Sequence, residues 1–127
     1  LLNYCEVLKH KDLHEDFIRM HECEWNKSLS VTENMLMHKS NFTLQTFQHA
    51  TKFDLVYFDA FAPAAQPELW TKAIFEKLFG LMNEKGILVT YCSKGDVRRA
   101  MQSAGFIVEK IPGPPAKREM LRATRPN

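Results

Sequence analysis

The sequence predicts an α/β domain built on a largely parallel sheet. Two short apolar runs, residues 53–58 and 87–91, read as strands covered on both faces. Between them Leu69, Trp70, Ile74, Phe75, Leu78 and Leu81 recur at helical spacing. A further helical segment and a third apolar run follow, and alternation of strand and helix marks this fold class.

Taken in order, residues 1–30 are rich in His, Glu, Asp and Lys, with Leu8, Leu13, Phe17, Ile18 and Trp25 spaced irregularly. Two short helices with polar outer faces fit them. Met35 to His38 fits a strand, while Phe42, Leu44 and Phe47 alternate too loosely to separate strand from loop. Phe53 to Phe58 is the first strong strand, ending at Asp59 before Pro63 and Pro67 break the chain. A helix is expected over Glu68 to Leu81, then a turn at Asn83-Glu84-Lys85-Gly86. Ile87 to Tyr91 is the next strand, and Asp96 to Ala104 a helix stopped by Gly105. Phe106 to Ile111 is a strand, Pro112-Gly113-Pro114-Pro115 a turn or loop, and Glu119 to Thr124 a last strand.

The chain has 127 residues, 45% hydrophobic and 25% charged, which suits one globular domain over residues 1–127. These fractions exclude a disordered tail, a collagen-like rod and a disulfide scaffold. The net charge of +2 does not by itself mark a nucleic-acid binder, although clustered cations would. Cys5, Cys23 and Cys92 are too few and scattered for a disulfide framework and read as free thiols of a cytoplasmic protein. No apolar run is long enough for a transmembrane helix, and no signal-peptide pattern is visible.

Ligands of open α/β sheets bind beyond the carboxyl ends of the strands. That rule directs attention to Asp59-Ala60-Phe61-Ala62-Pro63 and to Cys92-Ser93-Lys94-Gly95. A carboxylate at Asp59 can accept a hydrogen bond from a substrate amine or take its proton, and Phe61 offers a face for a planar ligand. The plainer alternative makes Asp59 a loop cap and Phe61 a core residue. Arg98-Arg99, Lys117-Arg118, Arg122 and Arg125 together could contact phosphates, or each could be a solvated, salt-bridged group. His10 and His14, four apart with Glu22 and Cys23 nearby, match no zinc spacing, so no metal is expected. Cys92 has no local base and reads as a small core residue.

Five segments in order carry a family resemblance: residues 53–63 (FDLVYFDAFAP), 67–70 (PELW), 90–95 (TYCSKG), Val97-Arg98-Arg99 with Ala104-Gly105-Phe106, and Gly113 through Lys117-Arg118-Glu119-Met120-Leu121. Over roughly residues 50–125 the chain resembles the S-adenosylmethionine-dependent methyltransferase domain that completes 5-methylaminomethyl-2-thiouridine at the tRNA wobble position. That domain stands alone in some bacteria and is fused to a flavin-dependent oxidase in others. The resemblance implies a class I, Rossmann-like methyltransferase sheet with flanking helices, and S-adenosylmethionine as cofactor. Asp59 would be the catalytic acidic residue that orients the substrate amine and accepts its proton. Asp59, Ala60, Phe61, Ala62 and Pro63 would line the cofactor pocket. Arg98, Arg99, Lys117 and Arg118 would hold tRNA.

Two departures from the family pattern accompany the resemblance. Residues 1–33 contain no glycine, so the Gly-rich cofactor turn and its acidic partner have no counterpart. The expectation is a chain that starts after the N-terminal strands of the domain. Ser40-Asn41 replaces the family's Gly-Asp, leaving Asn41 to contact the adenine side without charge. An open edge at residues 53–58 would follow, as part of a larger protein, in a rearranged sheet, or in a homodimer paired through that edge. Methylation of another amine, and a non-catalytic fragment that no longer binds cofactor, stay open as alternatives.

Overall fold

The computed structural model describes residues 9–127, which divide into two compact units between Thr43 and Leu44. In the first unit a 3-10 turn at Lys11–Leu13 leads into α1 (His14–Glu22), and β1 (Ser28–Thr32) pairs antiparallel with β2 (Met35–His38). The Arg19 guanidinium ties α1 to β1: its two terminal nitrogens donate to the carbonyls of Val31 and Ser30, each at 2.7 Å. Among the described residues up to 30, helical structure is the 3-10 turn and α1. Ser28–Thr32 is a strand instead, with Val31 buried between outward-facing polar residues. Such alternation of apolar and polar side chains is a strand period, and the Glu33-Asn34 turn closes the hairpin. His10 precedes the helical residues that His14 opens, so the two share no helix face. Cys5 and Leu8 lie outside the described residues.

The second unit carries a four-stranded sheet in the order β3-β4-β6-β5, with β3 at Phe53–Tyr57, β4 at Met82–Thr90, β5 at Ile107–Pro112 and β6 at Glu119–Thr124. Only β3 and β4 run parallel; β6 pairs antiparallel with both β4 and β5. The sheet is mixed, not largely parallel, because β5 and β6 form a hairpin rather than being joined by a crossover helix.

Helix α2 (Lys72–Leu81) and helix α3 (Gly95–Ser103) pack on each other and on one sheet face. The covered face holds the cross-strand row Val56, Leu88, Ala123 and Val108. The opposite row is Tyr57, Val89, Arg122 and Glu109, and Tyr57 on it is 78% exposed.

The expected helix over Glu68 to Leu81 is interrupted. A 3-10 turn spans Pro67–Leu69, and α2 restarts after Thr71, whose hydroxyl accepts from the Ile74 N–H at 3.4 Å. Helix α3 ends as the sequence suggests. Gly105 has φ +105°, its N–H donates to the Gln102 carbonyl at 3.0 Å, and the Phe106 N–H donates to the Met101 carbonyl at 3.2 Å. These two bonds form a Schellman cap.

Asn83–Gly86 is not a free turn. It is a bulge within β4, where Asp54 alone faces four residues between the pairs Phe53–Met82 and Leu55–Ile87. The C-terminal segment clamps it: Lys85 N–H donates to Arg125 O at 2.8 Å, and Arg125 N–H donates to Gly86 O at 2.9 Å. Among the described residues, no helix is long and apolar enough to cross a membrane.

Candidate active site

The parallel pair β3–β4 positions the site. Phe58 N–H donates to Val89 O at 2.9 Å, the last ladder bond before the chain leaves the sheet at Asp59. Phe58 is buried against Trp70 and Phe75 in edge-on contacts, with ring centroids 5.0 and 5.8 Å apart. The loop beyond Asp59 is also pinned. Trp70 Nε1–H donates to the Phe61 carbonyl at 2.8 Å, and the Ala65 and Gln66 N–H groups both donate to Ala62 O. The exposed Asp59 carboxylate therefore projects from a braced backbone. At the end of β4, buried Thr90 accepts the Cys92 N–H at 3.3 Å and turns the chain toward Lys94.

Asp59, Thr90 and Tyr91 border two hollows. The larger is a cavity of about 350 Å³, walled by Ala60, Ala62, Pro63 and Trp70 on one side and by Cys92, Ser93, Lys94 and Lys117 on the other. The smaller, about 70 Å³, is apolar and formed with Tyr57, Phe58, Val89 and Met120. Lys117 reaches the larger one from the β5–β6 turn, where its Nζ lies 6.0 Å from the Tyr91 ring centre. That turn is tight: Lys117 N–H donates to Pro114 O at 2.9 Å, Ala116 has φ +71°, and a Cβ on Gly113 would run into the Lys117 carbonyl.

Of the residues singled out from sequence, Asp59, Ala60, Ala62, Pro63 and Lys117 meet at this cavity. Phe61 supplies only its carbonyl to the packing; its ring is 77% exposed and outside the lining. Asn41 belongs to the first unit, where its N–H donates to Asn26 Oδ1 at 3.0 Å. Arg98 and Arg99 lie on α3, with Arg98 half-buried and Arg99 ion-paired to Asp96. Arg118 is exposed beside Glu119.

Two of the six cations have partners away from the cavity. Arg122 pairs with Glu109 at 2.8 Å, and Arg125 donates to the Phe79 and Met82 carbonyls at the end of α2 while stacking on the Phe79 ring. Cys92 packs against the core yet also faces the cavity. Tyr91 and Lys94 are cavity residues that carried no site role in the sequence reading, although both stand in the 90–95 segment of the resemblance. Among the described residues no three of His, Cys, Asp or Glu converge on a common point.

A family model described as S-adenosyl-L-methionine-dependent methyltransferase matches residues 9–126, which include both compact units. The chain belongs to this family. Curated relatives include the tRNA 5-methylaminomethyl-2-thiouridine biosynthesis bifunctional protein MnmC of Paraburkholderia xenovorans, 48% identical over 54% of the chain. The protein of the same name from Aeromonas hydrophila is 42% identical over 57%. The chain spans about a tenth of the length of these relatives, 10% and 11% respectively. Among solved structures, MNMC2 from Aquifex aeolicus superposes with a TM-score of 0.69 at 26% identity, covering 93% of this chain and 39% of that one. The N-methyltransferase NodS from Bradyrhizobium japonicum shares the fold at a TM-score of 0.51 and 13% identity, over 71% of this chain and 60% of its own. The methyltransferase family thus accounts for an α/β unit with a mixed sheet.

Membership of this family implies S-adenosylmethionine as methyl donor, and the residues present fit its reactive end. A methylsulfonium is a compact cation with apolar substituents. Asp59 offers it an anionic neighbour, and the hollow formed with Tyr57, Val89 and Met120 offers an apolar one. The first glycine of the sequence is Gly80, so a Gly-rich turn ahead of β3 is not among these residues.

Proposed function

We propose that this chain is the C-terminal part of a domain that methylates the aminomethyl nitrogen of a modified wobble uridine in tRNA. The relatives' printed names support the substrate, and the placement of Asp59 carries the chemistry. Asp59 stands at the carboxyl end of a parallel strand, on the wall between an apolar hollow and a larger cavity that two lysines border.

S-adenosylmethionine, when bound, supplies an electrophilic methyl group on sulfur. The chain's own residues then have three tasks. Asp59 receives the hydrogen bond of the substrate amine, which aims the nitrogen lone pair, and takes up the proton released as the N–C bond forms. Ala60, Ala62 and Pro63 keep that side of the cavity narrow without adding competing polar groups. Lys117 and Arg118 meet the tRNA backbone from the β5–β6 turn, with Arg98 and Arg99 as further contacts. A fused or partner oxidase and a cytoplasmic setting belong to the same reading.

The test is methyl transfer from radiolabelled S-adenosylmethionine to tRNA that lacks the final methyl group. Asp59→Ala should lower the rate by about 100-fold or more, the usual range for loss of a positioned acid–base group, with an unchanged thermal melt. A variant as active as the wild type removes Asp59 from the mechanism. Titration of S-adenosylmethionine into this chain by calorimetry separates cofactor binding from catalysis: heat of binding supports an enzyme in its own right, and none favours a chain that works only within a longer domain.

A further inference from the structure

Two lysines and a tyrosine at the cavity define a subsite of their own. Asp59 lies where the larger cavity meets the smaller hollow, while Lys94 and Lys117 give the opposite wall two ammonium groups, so that lysine side suits an anionic reactant and not a sulfonium cation. Its volume of about 350 Å³ falls in the range of roughly 300–1,000 Å³ typical of small-ligand pockets. Tyr91 directly follows β4 and is 49% exposed, so part of its side chain is open to solvent. Lys117 stands 6.0 Å from that ring, at the outer limit of a cation–π contact, which leaves the ammonium free to shift toward an anion.

Lys94 is the N-cap residue of α3, makes no capping hydrogen bond with its side chain, and sits at the helix end where the backbone dipole disfavours a positive charge. A bound phosphate would reverse that local penalty. Resting on the tRNA reading above, we propose that Tyr91 is the stacking platform for the base of the substrate nucleotide and that Lys94 and Lys117 hold its flanking phosphates. An aromatic face with lysines beside it is how single-stranded nucleotides are gripped without reading sequence.

The proposal is tested by fluorescence anisotropy with a short fluorescein-labelled oligoribonucleotide carrying a central uridine, over a series of salt concentrations. Tyr91→Leu should weaken binding about tenfold or more, as loss of one base–aromatic stack does, and Tyr91→Phe should bind within about twofold of wild type. Lys94→Ala and Lys117→Ala should each flatten the slope of log affinity against log salt by about 0.7, one single-strand phosphate contact. Thermal melts identify any variant that fails to fold; the exposed Lys94 then decides through its salt slope alone. If the wild type binds RNA and Tyr91→Leu binds equally well, or the salt slopes do not change, the subsite is overturned while the methyltransferase reading stands. If the wild type transfers methyl groups to an amine but binds no RNA, the tRNA reading and the subsite fall together.

Discussion

The two edges of the four-stranded sheet are built from opposite chemistry. Strand β5 carries Glu109 and Lys110, ends in Pro112, and pairs its charges across the hairpin with Arg122 and Glu119. Charges and a terminal proline are common ways to keep an edge from recruiting another strand. Strand β3 has a single charged residue, Asp54, and that one is occupied by the Asn83 amide at 2.8 Å. Its Leu55 is 47% exposed. The guarded edge delivers Lys117 to the site from a tight turn. The unguarded edge delivers Asp59 directly from its last rung. The acid therefore depends on β3–β4 pairing and the aromatic packing beneath Phe58, while the lysine depends on local turn geometry.

Removing a side chain from the interior strand between the two edges has the largest expected effect on stability. Leu88 is fully buried in β4 between Val56 and Ala123, so Leu88→Ala should cost about 2–5 kcal/mol in chemical denaturation, with loss of methyl transfer as the fold is lost. A cost below that range would mean that the helices close over the void. A smaller effect tests the guarded side alone. Gly113→Ala should cost roughly 1–3 kcal/mol by forcing the turn open and should weaken RNA binding through Lys117, leaving S-adenosylmethionine binding intact. On the unguarded side, Leu55→Lys should leave stability within about 1 kcal/mol while reducing concentration-dependent association in sedimentation velocity. Equal association by both proteins would remove the contrast between the edges.

Much of this was legible in the sequence where the physics is local. The apolar run ending at Asp59 and the stop at Gly105 each depend on neighbouring residues, and both stand where the pattern put them. Long-range pairing was not legible. The bulge at Asn83–Gly86 looks like a turn because Arg125, which clamps it, arrives from the far end of the chain. Arg122 and Arg125 look like members of a basic patch because sequence does not show that Glu109 and the α2 carbonyls occupy them. The antiparallel β6 lies between β4 and β5, an order that strand–helix alternation does not encode. At the site, the strand-end rule found the right loops, but Tyr91 and Lys94 acquire meaning only once Lys117 is placed across the same cavity.

The smallest expected effect concerns the pair that guards the β5 edge. Lys110 Nζ donates to Glu119 Oε2 at 2.9 Å, and both side chains remain largely in water. That hydrogen bond first, and the charge of Lys110 second, hold the Glu119 carboxyl below its ordinary value of 4.5. A carboxyl whose folded value is lowered stabilises the fold above the unfolded value, and that contribution is lost as pH falls through the lowered folded one. The pair should therefore support the hairpin at neutral pH and stop doing so in acid. Lys110→Met removes the donor and the charge while keeping the stem. Its thermal midpoint should fall slightly below wild type at neutral pH and converge with it in acid, because water screens an exposed ion pair and leaves it only a small contribution. A gap between the two proteins that persists in acid would show that Lys110 acts through the packing of its stem and that the β5 edge is guarded by shape, not by charge.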